Sequence, residues 1–346
     1  MKAGTLPRNH AMDLLRTAAI LAMMAAHTSR LIIFEARQEW SSWVLLFEPL
    51  IPSLFLFLVG LSLIHSRASA ISKGQSLRSW FYRQARRGAV LWLISALFFS
   101  LEEGVRFPDV LLSSGILCTI AYAIIGMTGI LVFERLAVWI FAALFFAGSA
   151  VFYLLDHSGS APFLFISGNS PVFPLILFSL AGALWGLGRH RFPKVFPWLG
   201  VIALCLGVGL VYRYGGEVLF TKPLGRSDAT RILAAPFYGA GSKVIPYYNL
   251  RPILALACLA LHLGVYTAVE TGLRKLRLRE SLASRLFALG RQSLENYILH
   301  LFLLGLLVVT MGPRPLSAAW QGNAALLGIM AACQAWSLFR GRGRPT

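Results

Sequence analysis

Long apolar runs separated by short basic or mixed segments dominate the hydropathy pattern of this chain. Runs of roughly 17–25 apolar residues are long enough to cross about 30 Å of hydrocarbon as helices, and they lack the alternation of membrane β-strands. Backbone polar groups need internal hydrogen bonds in a bilayer, so helices are expected. The pattern predicts an all-α polytopic membrane protein, a single transmembrane domain over 1–346 in one bundle. The expected spans number about ten, near 11–34, 44–65, 88–101 (with 83 as an alternative start), 111–133, 135–155, 171–187, 195–212, 250–270, 286–309 and 323–340.

The basic residues indicate how these spans are oriented. They concentrate in segments that, with ten spans, all fall on the side of the N-terminus: 66–87, 188–197, 271–285 and the C-terminus. Loops that carry an excess of Lys and Arg face the cytoplasm. We therefore expect both termini to be cytoplasmic.

Composition narrows the classes of function. Only 13% of the residues are charged and 57% are hydrophobic, whereas soluble domains are about one quarter charged. The net charge of +18 is distributed between apolar runs and not along one soluble face, so we expect no nucleic-acid partner. The four cysteines lie within apolar runs without metal-ligand spacing, so we expect no metal.

Two ionisable residues interrupt the first apolar run. Arg16 and His27 are eleven positions apart, which places both on one helix face about 16 Å apart. Such residues are costly in a bilayer and usually mark function. His27 is a candidate general base, and the Arg16 guanidinium suits a phosphate group. The alternatives are a structural histidine and an ion pair between Arg16 and Asp13, three residues earlier.

The ninth span carries a second set of polar residues on one face. Ser293, Asn296, Tyr297 and His300 fall at i, i+3, i+4 and i+7, which forms one stripe on a helix. Odd-numbered spans run in the same direction, so His300 reaches a depth similar to that of His27. We expect both histidines to be catalytic in one cavity, with Asp13 and the other stripe residues as supporting groups or oxyanion donors. The alternative is hydrogen bonding between helices, worth about 1 kcal/mol per bond.

Three arginines precede the third span. Arg83, Arg86 and Arg87 are candidates for binding a polyanion such as the phosphates of a cofactor. The alternative is that they determine topology and attract anionic lipid. Nucleotide-binding fingerprints do not stand out along the sequence.

Four segments resemble known membrane acyltransferases. DLLRTAAILAMMAAH resembles the first core helix of transmembrane acyltransferases, including the Arg-x10-His spacing of the acyltransferase-3 family. The segments PSLFLFLVGLSL, SPVFPLILFSLAGALWG and LGRQSLENYILH resemble bacterial relatives of heparan-α-glucosaminide N-acetyltransferase. The resemblance implies transfer of an acyl group, acetyl above all, from cytoplasmic acyl-CoA to a sugar beyond the membrane. It also implies a bacterial inner membrane.

Positions carried over from these families agree with the residues above. His27 matches the catalytic histidine and Arg16 the arginine near CoA, while Ser293, Tyr297 and His300 match the polar pattern of the ninth helix. We therefore expect acetyl-CoA or another acyl-CoA as cosubstrate. The expected partners are a glycan or lipid-linked sugar acceptor and membrane lipids, and a homodimer is left open. The alternative function is a proton-coupled transporter, or a flippase for a lipid-linked or small polar solute.

Overall fold

The computed structural model describes residues 8–29, 50–105, 109–112, 114–133, 136–158, 172–218, 252–276, 280–311 and 319–342. Every regular element within these ranges is a helix. In chain order the helices are α1 (His10–Ser29), α2 (Leu50–Ser72), α3 (Leu77–Glu103), α4 (Asp109–Leu112), α5 (Ile116–Leu131), α6 (Ala137–Ser158), α7 (Val172–Arg191), α8 (Phe196–Val218), α9 (Pro252–Leu276), α10 (Glu280–Leu286), α11 (Ala288–Arg291), α12 (Ser293–Met311) and α13 (Ala319–Arg342).

Each of the ten expected spans overlaps one long helix. In the described part of the chain, seven helices are long and apolar enough to cross a membrane: α2, α6, α7, α8, α9, α12 and α13. Helix α5 is apolar but only 16 residues long, while α1 and α3 carry charged side chains within their length. The all-helical polytopic class is therefore confirmed, and the count of ten spans stays a prediction.

The basic segment 66–87 is largely helical and not an open loop. Helix α2 continues to Ser72 and α3 begins at Leu77, so the turn between these two helices is only four residues long. Ser76 caps α3, because its side chain accepts a hydrogen bond from the backbone N–H of Ser79 at 3.2 Å. Since Arg and Gln are good helix formers, the basic residues after Leu77 continue the helix. The third span thus begins well before residue 88.

The expected span 286–309 is not one continuous helix in the structure, because non-helical residues interrupt it. Phe287 (φ −101°, ψ 23°) and Gln292 (φ −113°, ψ 40°) depart from helical geometry on either side of the single turn α11. The polar stripe therefore starts a new helix at Ser293 and does not lie in the middle of a longer one.

The chain forms two compact units, and each is described by itself. The first contains 52–265. Within it, small residues allow α2 and α7 to approach closely: the Ser179 hydroxyl donates to the Leu56 carbonyl at 2.8 Å, and a Cβ on Gly60 would overlap the Ser179 carbonyl oxygen. Small residues serve the same purpose in many membrane helix pairs. The expectation of a single domain stays a prediction.

A buried polar contact joins α2 to α9 in this unit. The Ser53 hydroxyl lies 2.8 Å from Nε2 of His262, and both residues are buried. The rings of Phe57 and Phe178 lie 6.2 and 6.0 Å from the imidazole. Aromatic packing and one hydrogen bond thus satisfy this histidine in the interior.

The second unit contains 8–51 and 266–346, of which the described parts are α1, the end of α9 and α10 to α13. Ile20 and Met24 of α1 are completely buried. The Asn9 side-chain amide donates to the Tyr266 hydroxyl at 2.9 Å, which ties the start of α1 to α9. This unit holds His27 and His300, so the candidate site can be described within it.

Candidate active site

The first turn of α1 holds a buried carboxylate between two arginines. Nε of Arg8 lies 2.5 Å from Oδ2 of Asp13, and Nη1 of Arg16 lies 3.7 Å from Oδ1 of the same residue. The Asp13 side chain is only 5% exposed, and a carboxylate in a first turn also suits the helix dipole. The alternative ion pair between Arg16 and Asp13 is thus present, although Arg8 makes the closer contact.

The single turn α11 packs against α1 one turn further along. The backbone N–H of Gly290 donates to the Thr17 hydroxyl at 3.0 Å, and that hydroxyl donates to the Asp13 carbonyl at 2.9 Å. A Cβ on Gly290 would overlap the Asp13 carbonyl oxygen. A residue without a Cβ is needed at position 290 for this close approach. The approach also explains why the predicted span is interrupted, because the chain leaves its helical path to reach α1.

The Asn296 side chain bridges the break in the helix with hydrogen bonds. Its side-chain amide donates to the Leu289 carbonyl at 3.0 Å and to the Ser337 hydroxyl of α13 at 2.8 Å. The Ser337 hydroxyl lies 3.1 Å from Oδ1 of the same amide. These contacts employ both amide hydrogens of Asn296, which is completely buried, so its side chain is committed to structure.

The two histidines expected to share a cavity are in direct contact. Nε2 of His300 lies 3.1 Å from Nδ1 of His27, and their ring centroids are 5.2 Å apart. The other ring nitrogen of His300, Nδ1, lies 3.1 Å from the Asn296 carbonyl oxygen. The Tyr297 ring packs edge-on against His300 with centroids 5.3 Å apart. His300 is fully buried, whereas His27 is half-buried.

Hydrogen-bond chemistry assigns the protons of the neutral pair. A carbonyl oxygen only accepts, so Nδ1 of His300 must carry a hydrogen and its Nε2 must hold a lone pair. Nδ1 of His27 must then be the donor to that lone pair. Nε2 of His27 is left as the nitrogen with a lone pair, which makes it the basic position of the pair.

The remaining predicted residues lie in different places. Ser293 begins α12 and is half-buried, as is Tyr297. The arginines at 83, 86 and 87 belong to α3 in the first unit, and Nη2 of Arg83 donates to the Gln75 side chain at 2.9 Å. The structure therefore brings together Asp13 with Arg16, and His27 with His300, Asn296 and Tyr297.

Thr17 and Ser337 are site residues that the sequence analysis missed. Both are buried, and both hold the segment that carries the polar stripe. A signal existed for Ser337, because Gln334 and Ser337 are polar residues at i and i+3 in a largely apolar helix. Thr17 gave no such signal, since a threonine in a membrane helix commonly bonds back to its own backbone.

Seven apolar helices in the described part of the chain, together with two histidines in hydrogen-bond contact inside the helical unit, define a class: a polytopic membrane protein with ionisable groups in its interior. Comparison with protein families makes this specific. Residues 8–253 match the family described as heparan-alpha-glucosaminide N-acetyltransferase, catalytic, and the chain belongs to this family. A comparison with curated proteins finds no match. The chain is therefore an integral membrane protein of an acetyltransferase family, as three of its four motifs indicated.

The matched residues contain only half of the site. Arg16 and His27 lie inside 8–253, whereas His300 and Ser337 lie beyond it. Family membership thus favours an acetyltransferase over a transporter or flippase. The contribution of α12 and α13 rests on the geometry alone.

Proposed function

We propose that this protein transfers an acetyl group from acetyl-CoA to an amino or hydroxyl group of a sugar, with Nε2 of His27 as the general base. The single observation that carries the proposal is the hydrogen bond between His27 and His300, because it directs the lone pair of His27 away from its partner. The family description supports acetyl as the group and a glucosaminide-like sugar as the acceptor class.

The proposed reaction balances without a metal or an external base. Nε2 of His27 removes the proton from the acceptor O–H or N–H as that atom attacks the thioester carbonyl. The tetrahedral intermediate expels the CoA thiolate, which takes the proton back from His27. A covalent acetyl-histidine on the same nitrogen is the other path that this arrangement supports.

His300 stabilises the charged intermediate state in this proposal. Once His27 is protonated on Nε2, its Nδ1–H becomes a charged donor to the His300 lone pair, and such hydrogen bonds are stronger than neutral ones. The Asn296 amide hydrogens are already employed. Tyr297, whose ring packs against His300, is the first candidate for the oxyanion donor, and Ser293, two turns before His300 on α12, is the second.

Arg16 is the proposed phosphate contact for CoA. It lies eleven residues before His27 on α1, about 16 Å along the axis, and the slender pantetheine arm would cover this length. Oδ1 of Asp13 lies 3.7 Å from Nη1 of Arg16, so a phosphate would compete with this carboxylate for the guanidinium. The α3 arginines at 83, 86 and 87 are proposed separately as contacts for a polyanion or anionic lipid.

The orientation belongs to the same proposal. CoA would enter from the cytoplasm of a bacterial cell, with both termini on that side of the inner membrane, and the glycan or lipid-linked sugar would enter from outside. A homodimer stays a prediction.

Purified protein in liposomes tests the proposal directly. With [14C]acetyl-CoA and either methyl α-glucosaminide or methyl α-glucoside, we expect release of CoA thiol together with a labelled sugar. Replacing the base, His27→Ala, should lower kcat by about 10²–10⁴-fold, the range for a positioned general base. His10→Gln at the start of the same helix is the matched control and should retain the rate.

Two results would contradict the proposal. One is full acetyl transfer by the folded His27→Ala variant, which would show that His27 is not the general base. The other is uptake of a labelled sugar by the liposomes without any CoA thioester and without acetylated product, which would favour the transporter function.

A further inference from the structure

A serine on the last helix reaches the histidine pair through one intermediary. We propose that Ser337 is a positioning residue for acetyl transfer, which acts through Asn296 on the tautomer and orientation of His300 and so on the basicity of His27. The inference rests on the proposed function for its kinetic part only, because the tautomer itself is a property of the resting protein.

The contact between Ser337 of α13 and Asn296 of α12 is buried from solvent. Ser337 is 1% exposed and Asn296 is fully buried. The hydroxyl of Ser337 meets both atoms of the Asn296 amide, at 2.8 Å from Nδ2 and 3.1 Å from Oδ1. The backbone carbonyl of Ser337 accepts from the Gln292 side chain at 3.3 Å. Ser337 thus bonds to both ends of this buried amide, and the orientation of the amide depends on Ser337 together with the Leu289 carbonyl.

The orientation of the Asn296 side chain influences His300 through the backbone carbonyl of Asn296. Asn296 lies in the first turn of α12, directly after the break at Gln292, and its backbone N–H donates to the Gln292 carbonyl at 3.0 Å. Its carbonyl is the group that receives the Nδ1 hydrogen of His300. Fixing the amide to α13 fixes this turn, and the turn selects which nitrogen of His300 holds the hydrogen.

A simpler assignment, that Ser337 only packs α13 against α12, makes a different prediction. A packing role would lower the stability without changing the tautomer of a particular histidine. A positioning role would change the tautomer and the rate of the chemical step, and would have no kinetic effect once His300 is gone. The two roles are therefore separable.

Nitrogen-15 NMR of histidine-labelled protein in liposomes gives the first measurement. The chain has seven histidines, and the difference spectrum against His300→Phe assigns the signal of interest. We expect wild-type His300 to carry its hydrogen on Nδ1, and Ser337→Ala to raise the population with hydrogen on Nε2. A wild-type His300 with hydrogen on Nε2, or an unchanged Ser337→Ala spectrum, would overturn the proposal.

Ser284→Ala provides the matched control. Ser284 is a serine of the same unit whose hydroxyl donates to a carbonyl three residues earlier, at Ser281, so its loss should leave the His300 signal unchanged. If Ser337→Ala does not fold, Ser337→Cys keeps the size and weakens the hydrogen bond. The same shift toward Nε2 is then expected in a smaller proportion of molecules.

Steady-state kinetics gives the second measurement. Ser337→Ala should lower kcat by about 5- to 10-fold, the effect of losing one buried hydrogen bond, and leave KM for acetyl-CoA within about twofold. In a His300→Phe background the same change should have no further effect on kcat. Effects that multiply in the double variant would show that Ser337 acts independently of His300.

The two measurements separate the possible failures. The NMR experiment needs no turnover, so absence of acetyl transfer would refute the proposed function and leave the tautomer assignment standing. A normal His300 response with unchanged kcat would refute the positioning role alone.

Discussion

Removing His300 is the most informative perturbation, because its effect follows from one hydrogen bond. Nε2 of His300 accepts from Nδ1 of His27 at 3.1 Å. His300→Phe keeps an aromatic ring, larger than imidazole, while this acceptor is lost. A hydrogen bond to a charged group contributes about 1.5–3 kcal/mol, and about 1.36 kcal/mol corresponds to a factor of ten in rate. We therefore expect kcat to fall by about 10- to 150-fold.

His300→Gln is the matched variant, because a glutamine side chain again offers an oxygen acceptor. Its loss in kcat should be smaller than that of His300→Phe. The assay is release of CoA thiol in liposomes at saturating acetyl-CoA. The KM for acetyl-CoA should stay within about threefold, since the change does not touch Arg16. Thermal unfolding of each variant in detergent controls for misfolding.

The double variant decides whether the pair acts as a unit. His27→Ala alone should cost about 10²–10⁴-fold in kcat, and adding His300→Phe should cost no more, because His300 acts only through His27. Residues that act as a unit show such non-additivity. Independent roles would instead multiply to about 10³–10⁶-fold. That outcome, or a folded His300→Phe variant with the wild-type kcat, would refute the reasoning.

Two further predictions concern the residues around the pair. Arg16→Ala should raise the Kd for CoA by about tenfold or more, the effect of a lost charge-assisted bond, as measured by calorimetry; an unchanged Kd with a lowered Tm would assign Arg16 to its ion pair with Asp13. Gly290→Ala should destabilise the protein by about 1–3 kcal/mol, because its Cβ overlaps the Asp13 carbonyl. Gly305→Ala, where a Cβ meets nothing within 4 Å, should keep the wild-type Tm, and equal Tm values for both glycine variants would contradict this close contact.

Hydropathy and helical periodicity predicted the class of protein and which polar side chains share a helix face. Apolar runs of bilayer length dictate helices wherever they occur, because no other element satisfies the backbone inside hydrocarbon. The seven apolar helices lie where such runs predicted them. Helical periodicity also placed His300 on one face with Asn296 and Tyr297, because side chains three, four and seven positions apart share a face. Three of the four motifs indicated the acetyltransferase family that residues 8–253 match.

Local pattern was insufficient where hydrogen bonds outside the apolar runs set the helix ends. The segment 66–87 was predicted to be a loop because of its charge, yet α3 begins at Leu77 under the cap of Ser76. The basic residues of a segment indicate on which side of the membrane it lies, whereas the capping residue and helix propensity decide where the helix starts. The same distinction explains why the span at 286–309 contains a break that its hydropathy does not reveal.

The contacts of the candidate site come from the packing of segments that are distant in the chain. His27 and His300 are 273 positions apart, and no local rule sets the distance or the ring nitrogens of such a contact. The break at Gln292 exists because Gly290 packs on α1, and Ser337 matters because α13 meets Asn296. Sequence pattern fixes which face of a helix is polar, since that follows from the helical repeat. Which nitrogen holds the lone pair depends on partners from other helices, and packing alone brings those together.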